Sequence, residues 1–163
     1  MNPDSSSLAK YRYRRRLPHL QKFERTLFVT FCTNGRLVLP EDARGLVVEH
    51  CLREQGRRIQ LSAFVVMPDH VHLLLSPLRD DQGWPYPLTD ILQCLKSATA
   101  HRINSLLFRS GPVWQEESFD HVLRSDESLR EKCEYIRQNP VRGGLVKSWQ
   151  DYKWVWVDPG LEH

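Results

Sequence analysis

The sequence predicts an α+β fold, a ferredoxin-like split βαβ whose central antiparallel sheet carries helices on one side and gains an added C-terminal helix. Three observations lead there. Segments of alternating hydrophobicity and segments of helical spacing follow one another as strand, helix, strand, strand, helix, strand, helix. Only Pro68 and Asp69 separate the second strand from the third, so an antiparallel hairpin is the economical connection. With 163 residues, 40% of them hydrophobic, the chain suffices for one core and falls short of two, and no internal repeat or long linker divides it.

Residues 1–25 read as a basic arm ahead of this unit. YRYRRR at 11–16, with Lys10, Lys22 and Arg25 nearby, gathers positive charge and two tyrosines, which suits phosphate contact with base stacking; a solvated arm is the plainer reading. Bulk charge decides nothing, because 23 Lys and Arg against 20 Asp and Glu leave only +3. TLFVTFCT (26–33) is rich in β-branched and aromatic residues and ends at Asn34 and Gly35, a strand and its turn. Pro40, Glu41 and Asp42 then open a helix on which Ala43, Leu46, Val47, Cys51 and Leu52 recur at helical spacing, with Gly56 as the stop. RIQLSAFVVM (58–67) and HVHLLLS (70–76) are the hairpin strands.

Three prolines and a glycine between residues 77 and 87 make a loop, and Thr89 is placed to cap the second helix. Ile91, Leu92, Leu95, Ala98, Ile103 and Leu106 mark its core side, while Lys96, Ser97, His101 and Asn104 fall largely opposite. FDHVLR (119–124) is a short fourth strand. Ser125, Asp126 and Glu127 begin a third helix, their acidic groups matching its positive end, and Pro140 with Gly143 and Gly144 ends it. Residues 147–160 are aromatic and alternate enough for a strand or an arm, which could cover a sheet edge, lie over the functional site or pair with a partner. The closing residues 161–163, LEH, resemble the start of an affinity tag and carry no functional argument.

Four cysteines, at 32, 51, 94 and 133, include no CxxC pair, and no apolar run approaches the roughly 20 residues of a membrane span. A cytoplasmic protein with reduced, partly buried thiols and no membrane partner is the expectation.

The chemistry starts at VVMPDHVHLLL (65–75), where His70 and His72 interrupt an apolar run. Residues two apart on a strand share a face, so both imidazoles stand with Leu74, leaving Val71, Leu73 and Leu75 to meet the helices. Paired neutral imidazoles can converge on a divalent cation, but two ligands are not a site, and taken by itself a chance HxH satisfied by backbone groups is the plainer reading. On the third helix Leu129, Cys133 and Ile136 should face the core, and Tyr135 and Asn139 stack along one flank. A phenol beside an amide, facing a histidine-bound cation, can attack a phosphodiester; a boundary tyrosine with an asparagine closing the helix is the bland alternative.

Together, MPDHVHLLL (67–75), LKSATAHRIN (95–104), VWQEESFDHVLRSDESL (113–129) and YIRQNPVRGGLV (135–146) resemble, in order, the single-tyrosine transposases of the HUH class, and within them the REP-associated tyrosine transposases. The resemblance covers residues 26–146, the expected catalytic core of a single domain. It implies that His70, His72 and Asn139 hold Mg²⁺ or Mn²⁺, and that Tyr135 is the nucleophile. It implies single-stranded DNA carrying a REP-type hairpin as partner, cleaved through a 5′-phosphotyrosine by a nucleoid-associated protein. The arm matches a region that reads a short single strand at the hairpin foot; from charge, Arg12, Arg14, Arg15 and Arg16 are its candidate contacts, with Lys96 a further one on the second helix. The branch points to a monomer with an in-chain site, insertion-sequence relatives to a dimer. Two other readings remain: a non-catalytic single-strand-binding module, for which ferredoxin-like sheets are well suited, and a metal-dependent phosphodiesterase in which water attacks.

Overall fold

A computed structural model describes residues 26–124 and 126–161, so the basic arm, with Arg12, Arg14, Arg15 and Arg16, lies outside the described residues. Five strands form one sheet in the order β4-β1-β3-β2-β5: β1 (Leu27–Cys32), β2 (Ile59–Val66), β3 (His70–Pro77), β4 (Phe119–Val122) and β5 (Val155–Val157). Every neighbouring pair is antiparallel, and the first four strands follow the predicted split βαβ. Among the described residues three α-helices complete it: α1 (Glu41–Glu54), α2 (Leu88–Leu106) and α3 (Asp126–Arg142).

Period-two alternation splits the apolar residues between two layers. Val29, Phe31, Val71, Leu73 and Leu75 pack with Ala43 and Val47 of α1 and Ile91, Leu95 and Ile103 of α2 on one face. Phe28, Ala63, Val65 and Leu74 pack with Cys133 and Ile136 of α3 on the other. Strand β3 is thus covered on both faces, by α1 and α2 below and by α3 above. Its hairpin is pinned at the turn: Met67 N donates to His70 O at 2.8 Å, while the carbonyls of Asp69 and Pro68 accept from Thr33 N at 2.9 Å and Leu39 N at 2.6 Å.

Five expectations change in detail. Helix α2 begins at Leu88 behind Pro87, so Thr89 sits inside the first turn and makes no cap. Thr99 rather than Ala98 is the buried residue midway along α2, and Leu106 is exposed. A polar residue can occupy that place because its hydroxyl donates to Leu95 O at 2.7 Å and accepts from Trp114 Nε1 at 2.9 Å. On α1, Leu52 is exposed and His50 takes the buried place. Helix α3 runs through Pro140 to Arg142, since proline in the last turn removes one N–H while Gly143 N still reaches Asn139 O at 2.9 Å. Gly144, at φ +72, supplies the left-handed stop.

Of the three roles open to the tail, it takes the sheet edge: β5 pairs with β2. Buried Tyr152 locks it there, its hydroxyl donating to Val66 O at 2.6 Å and accepting from Arg44 Nη1 at 3.4 Å. Arg44 also lies 4.1 Å over the Trp154 ring. The four cysteines are free, and burial pushes the Cys51 thiol up to about 12.

Candidate active site

Strand pairing fixes where the histidines stand. His72 is paired with Thr30 of β1 on one side and Val65 of β2 on the other, in the middle of the sheet, and His70 is paired with Cys32 at its end. The two rings are 4.8 Å apart, centroid to centroid, at 72°. His72 is 6% exposed and stacks at 5.3 Å on Phe28.

Each imidazole is oriented by a different neighbour. His70 Nδ1 donates to the Asp69 carboxylate at 2.7 Å, so Nε2 is the acceptor atom of the neutral ring. His72 Nδ1 lies 2.7 Å from the Thr30 hydroxyl; in the tautomer in which Nδ1–H donates, Nε2 is again the free acceptor. Burial, followed by the charges of His70, Arg142 and Lys132, holds His72 down at about 3, so it is neutral through the physiological range. Neutral imidazoles with Nδ1 engaged and Nε2 free are the state a metal-ligating histidine requires.

Helix α3 brings Tyr135 over this face. The Tyr135 ring is 5.5 Å from His72 and 5.8 Å from Phe28, edge-on to both, and the residue stays 38% exposed. Arg142 lies 4.3 Å over the same ring and donates to the Tyr135 carbonyl at 3.0 Å, while the Lys132 ammonium is 5.3 Å from the ring centre. Asn139, one turn further along α3, is buried. Among the described residues no three His, Cys, Asp or Glu side chains gather into a metal-binding group. A cation on this face would therefore draw a third protein ligand from another donor, and the Asn139 amide oxygen is of the right type.

Lys96 goes elsewhere. It lies on the α2 side of the sheet, 5.5 Å over Phe31, and its ammonium donates to the carbonyls of Gln115, Glu116 and Glu117 at 2.9, 3.3 and 3.4 Å. Burial lowers its pKa. It braces the loop before β4 and is not brought to the histidine face.

Sequence reasoning missed Thr30, Phe28, Lys132 and Arg142, and took Asp69 only as a turn residue. Asp69 had a signal, since a carboxylate directly before a candidate ligand is a natural orienting group. Thr30 had none, because only the strand register reveals it.

No family model matches the chain. A REP-associated tyrosine transposase of Escherichia coli is 24% identical over 99 residues, covering 61% of this chain and 54% of its own length. A Haemophilus influenzae relative named for the same family is 30% identical over 95 residues, covering 55% and 54%. The chain thus spans about half the length of the curated relatives it matches. The solved structure of a REP-associated tyrosine transposase bound to a REP hairpin superposes with a TM-score of 0.66 at 22% identity, over 81% of this chain and 76% of that one, which bears out the fold. Fold and relatives together liken the chain to α+β proteins of the transposase type. The chain is thus similar to REP-associated tyrosine transposases over about half of their length, and shares the fold of one of them. No helix among the described residues is long and apolar enough to cross a membrane.

Proposed function

We propose that this protein is a metal-dependent single-stranded DNA endonuclease and strand transferase, acting on REP-type hairpins through a 5′-phosphotyrosine intermediate. The observation that carries the reading is the joint placement of two Nδ1-anchored imidazoles and a tyrosine ring 5.5 Å from the nearer one, all within one chain. His70, His72 and Asn139 would hold the Mg²⁺ or Mn²⁺, which when bound supplies Lewis-acid polarisation of the scissile phosphate.

The chain's own residues do the rest. Tyr135 Oη attacks the phosphorus, its proton passing to solvent or a base, and the bond to the 3′ oxygen breaks; the products are a 5′-phosphotyrosine and a free 3′-OH. One phosphoester replaces another, so a second 3′-OH can reverse the step without ATP. Arg142 and Lys132 set positive charge beside the phenol, where a phosphate would arrive. Arg12, Arg14, Arg15 and Arg16 remain the proposed hairpin contacts on the arm, giving affinity a salt-sensitive share. Such chemistry on chromosomal DNA would be carried out in the cytoplasm, at the nucleoid.

Incubating the protein with a hairpin bearing a single-stranded flank and Mn²⁺ should give a covalent protein–DNA band on a denaturing gel, and Tyr135→Phe should abolish it. An adduct that survives in Tyr135→Phe, or cleavage by the wild type with no adduct, would remove the tyrosine from its role. His70→Ala and His72→Ala should abolish cleavage while hairpin binding persists.

A further inference from the structure

The face that carries the histidines continues past them to the outer strand. Thr30 is paired with Phe119 and Phe28 with His121, and directly opposed residues share a face, so Phe119 and His121 stand on the histidine side of β4. The 5.4 Å between the Phe28 and His121 rings agrees. Phe119, Thr30, His72 and Val65 therefore form one row across the sheet. Two strand spacings put Phe119 about 10 Å from His72, backbone to backbone.

Phe119 is 65% exposed and belongs to neither hydrophobic cluster, so folding does not account for an aromatic residue here. Cations stand over the next rings on this face: Lys132 lies 4.7 Å from the Phe28 ring, and Arg142 covers Tyr135. Asp120, the carboxylate between Phe119 and His121, alternates to the other face. An uncovered ring one row from a candidate phosphate site, with positive charge alongside, matches the chemistry that holds an unpaired base: a π-face for the base and cations for its backbone.

Resting on the function proposed above, we propose that Phe119, flanked by His121, is the stacking platform for a nucleobase next to the scissile phosphate. The single strand would then cross the sheet from the β4 edge toward Tyr135, and Phe119 acts as a positioning residue.

The test is an abasic scan in the Tyr135→Phe background, which keeps the DNA intact. Single-stranded flanks with one base removed at successive positions are titrated by fluorescence anisotropy against this parent and against its Phe119→Ala and Phe119→Trp variants. One position should weaken binding about 5-fold to 100-fold with Phe119 present and cost nothing further in Phe119→Ala, with Phe119→Trp restoring the loss. Melting temperatures should match, since the ring is not in the core. If Phe119→Ala binds the intact strand and every abasic strand as the parent does, the platform is refuted. Coupling at one position with no adduct from the Tyr135 enzyme would uphold the platform and refute the nuclease; no single-strand binding at all would refute both.

Discussion

At the scale of the residue, a strand can place an imidazole but cannot choose its tautomer. For His70 that choice falls to the acceptor-only Asp69 carboxylate, while Thr30 holds the His72 ring by the same atom, each 2.7 Å from Nδ1. The Thr30 contact is the more easily isolated, because valine reproduces its shape and lacks only the hydroxyl. With the fold retained, Thr30→Val should weaken cation binding by about 10-fold to 100-fold, the usual effect of losing a partner behind a ligand, whereas Thr30→Ser should keep most of it. Calorimetry with Mn²⁺ reads this directly, and an unchanged affinity in Thr30→Val would mean that the hydroxyl does not orient a ligand. The same experiment should rank Mn²⁺ above Mg²⁺, because two imidazole nitrogens are poor partners for the harder ion.

At the scale of the element, what could be read from the sequence was whatever stays local. Alternation along β3 placed His70 and His72 on one face, and helical spacing along α3 placed Tyr135 and Asn139 on one flank, without knowledge of any partner. Features that depend on what crosses over were not legible. Thr99 holds a core position that apolar spacing gave to Ala98, because Trp114, fifteen residues later, satisfies its hydroxyl. Pro140 reads as a helix end, yet α3 continues, since the last turn can lose one bond when the following carbonyls and amides still pair. The tail's choice of the β2 edge depends on Tyr152 finding Val66 O. That bond is buried and its acceptor is on the strand end next to the hairpin, so Tyr152→Phe should lower unfolding free energy by about 1–3 kcal/mol in urea titrations. Metal binding should be unaffected, because the contact lies on the far side of β2 from β3. A change below a few tenths of a kcal/mol would show that the tail is held by β5 pairing alone.

At the scale of the whole molecule, two buried histidines on opposite faces of the sheet make stability depend on pH. His72 is held at about 3, by burial first and then by His70, Arg142 and Lys132. His50 is lowered by burial and then by Arg102 and Arg53, the Arg102 guanidinium standing 3.1 Å from its Nε2. In the unfolded chain both titrate near the ordinary value of about 6.5. Both folded pKa values are depressed, so below about 6.5 the unfolded state binds protons that the folded state refuses, and stability falls with pH. Each group contributes a slope of about 1.4 kcal/mol per pH unit, for His72 down to its folded value and for His50 over a window that closes at its own lowered value. The carboxylates do not confuse this range. Arg102 holds Glu49 and Arg58 holds Glu54 below the usual carboxylate value, so their contribution is lost only in more acidic solution. In EDTA, the urea midpoint should be flat above about pH 7 and fall steeply between about pH 6.5 and pH 5. His50→Gln should remove part of the fall and His72→Phe another part, since phenylalanine can keep the stack on Phe28 without a proton to bind. A midpoint that stays level to about pH 5 would mean that these imidazoles accept protons in the folded state, and with that the neutral, ligand-ready His72 on which the metal site rests would be lost.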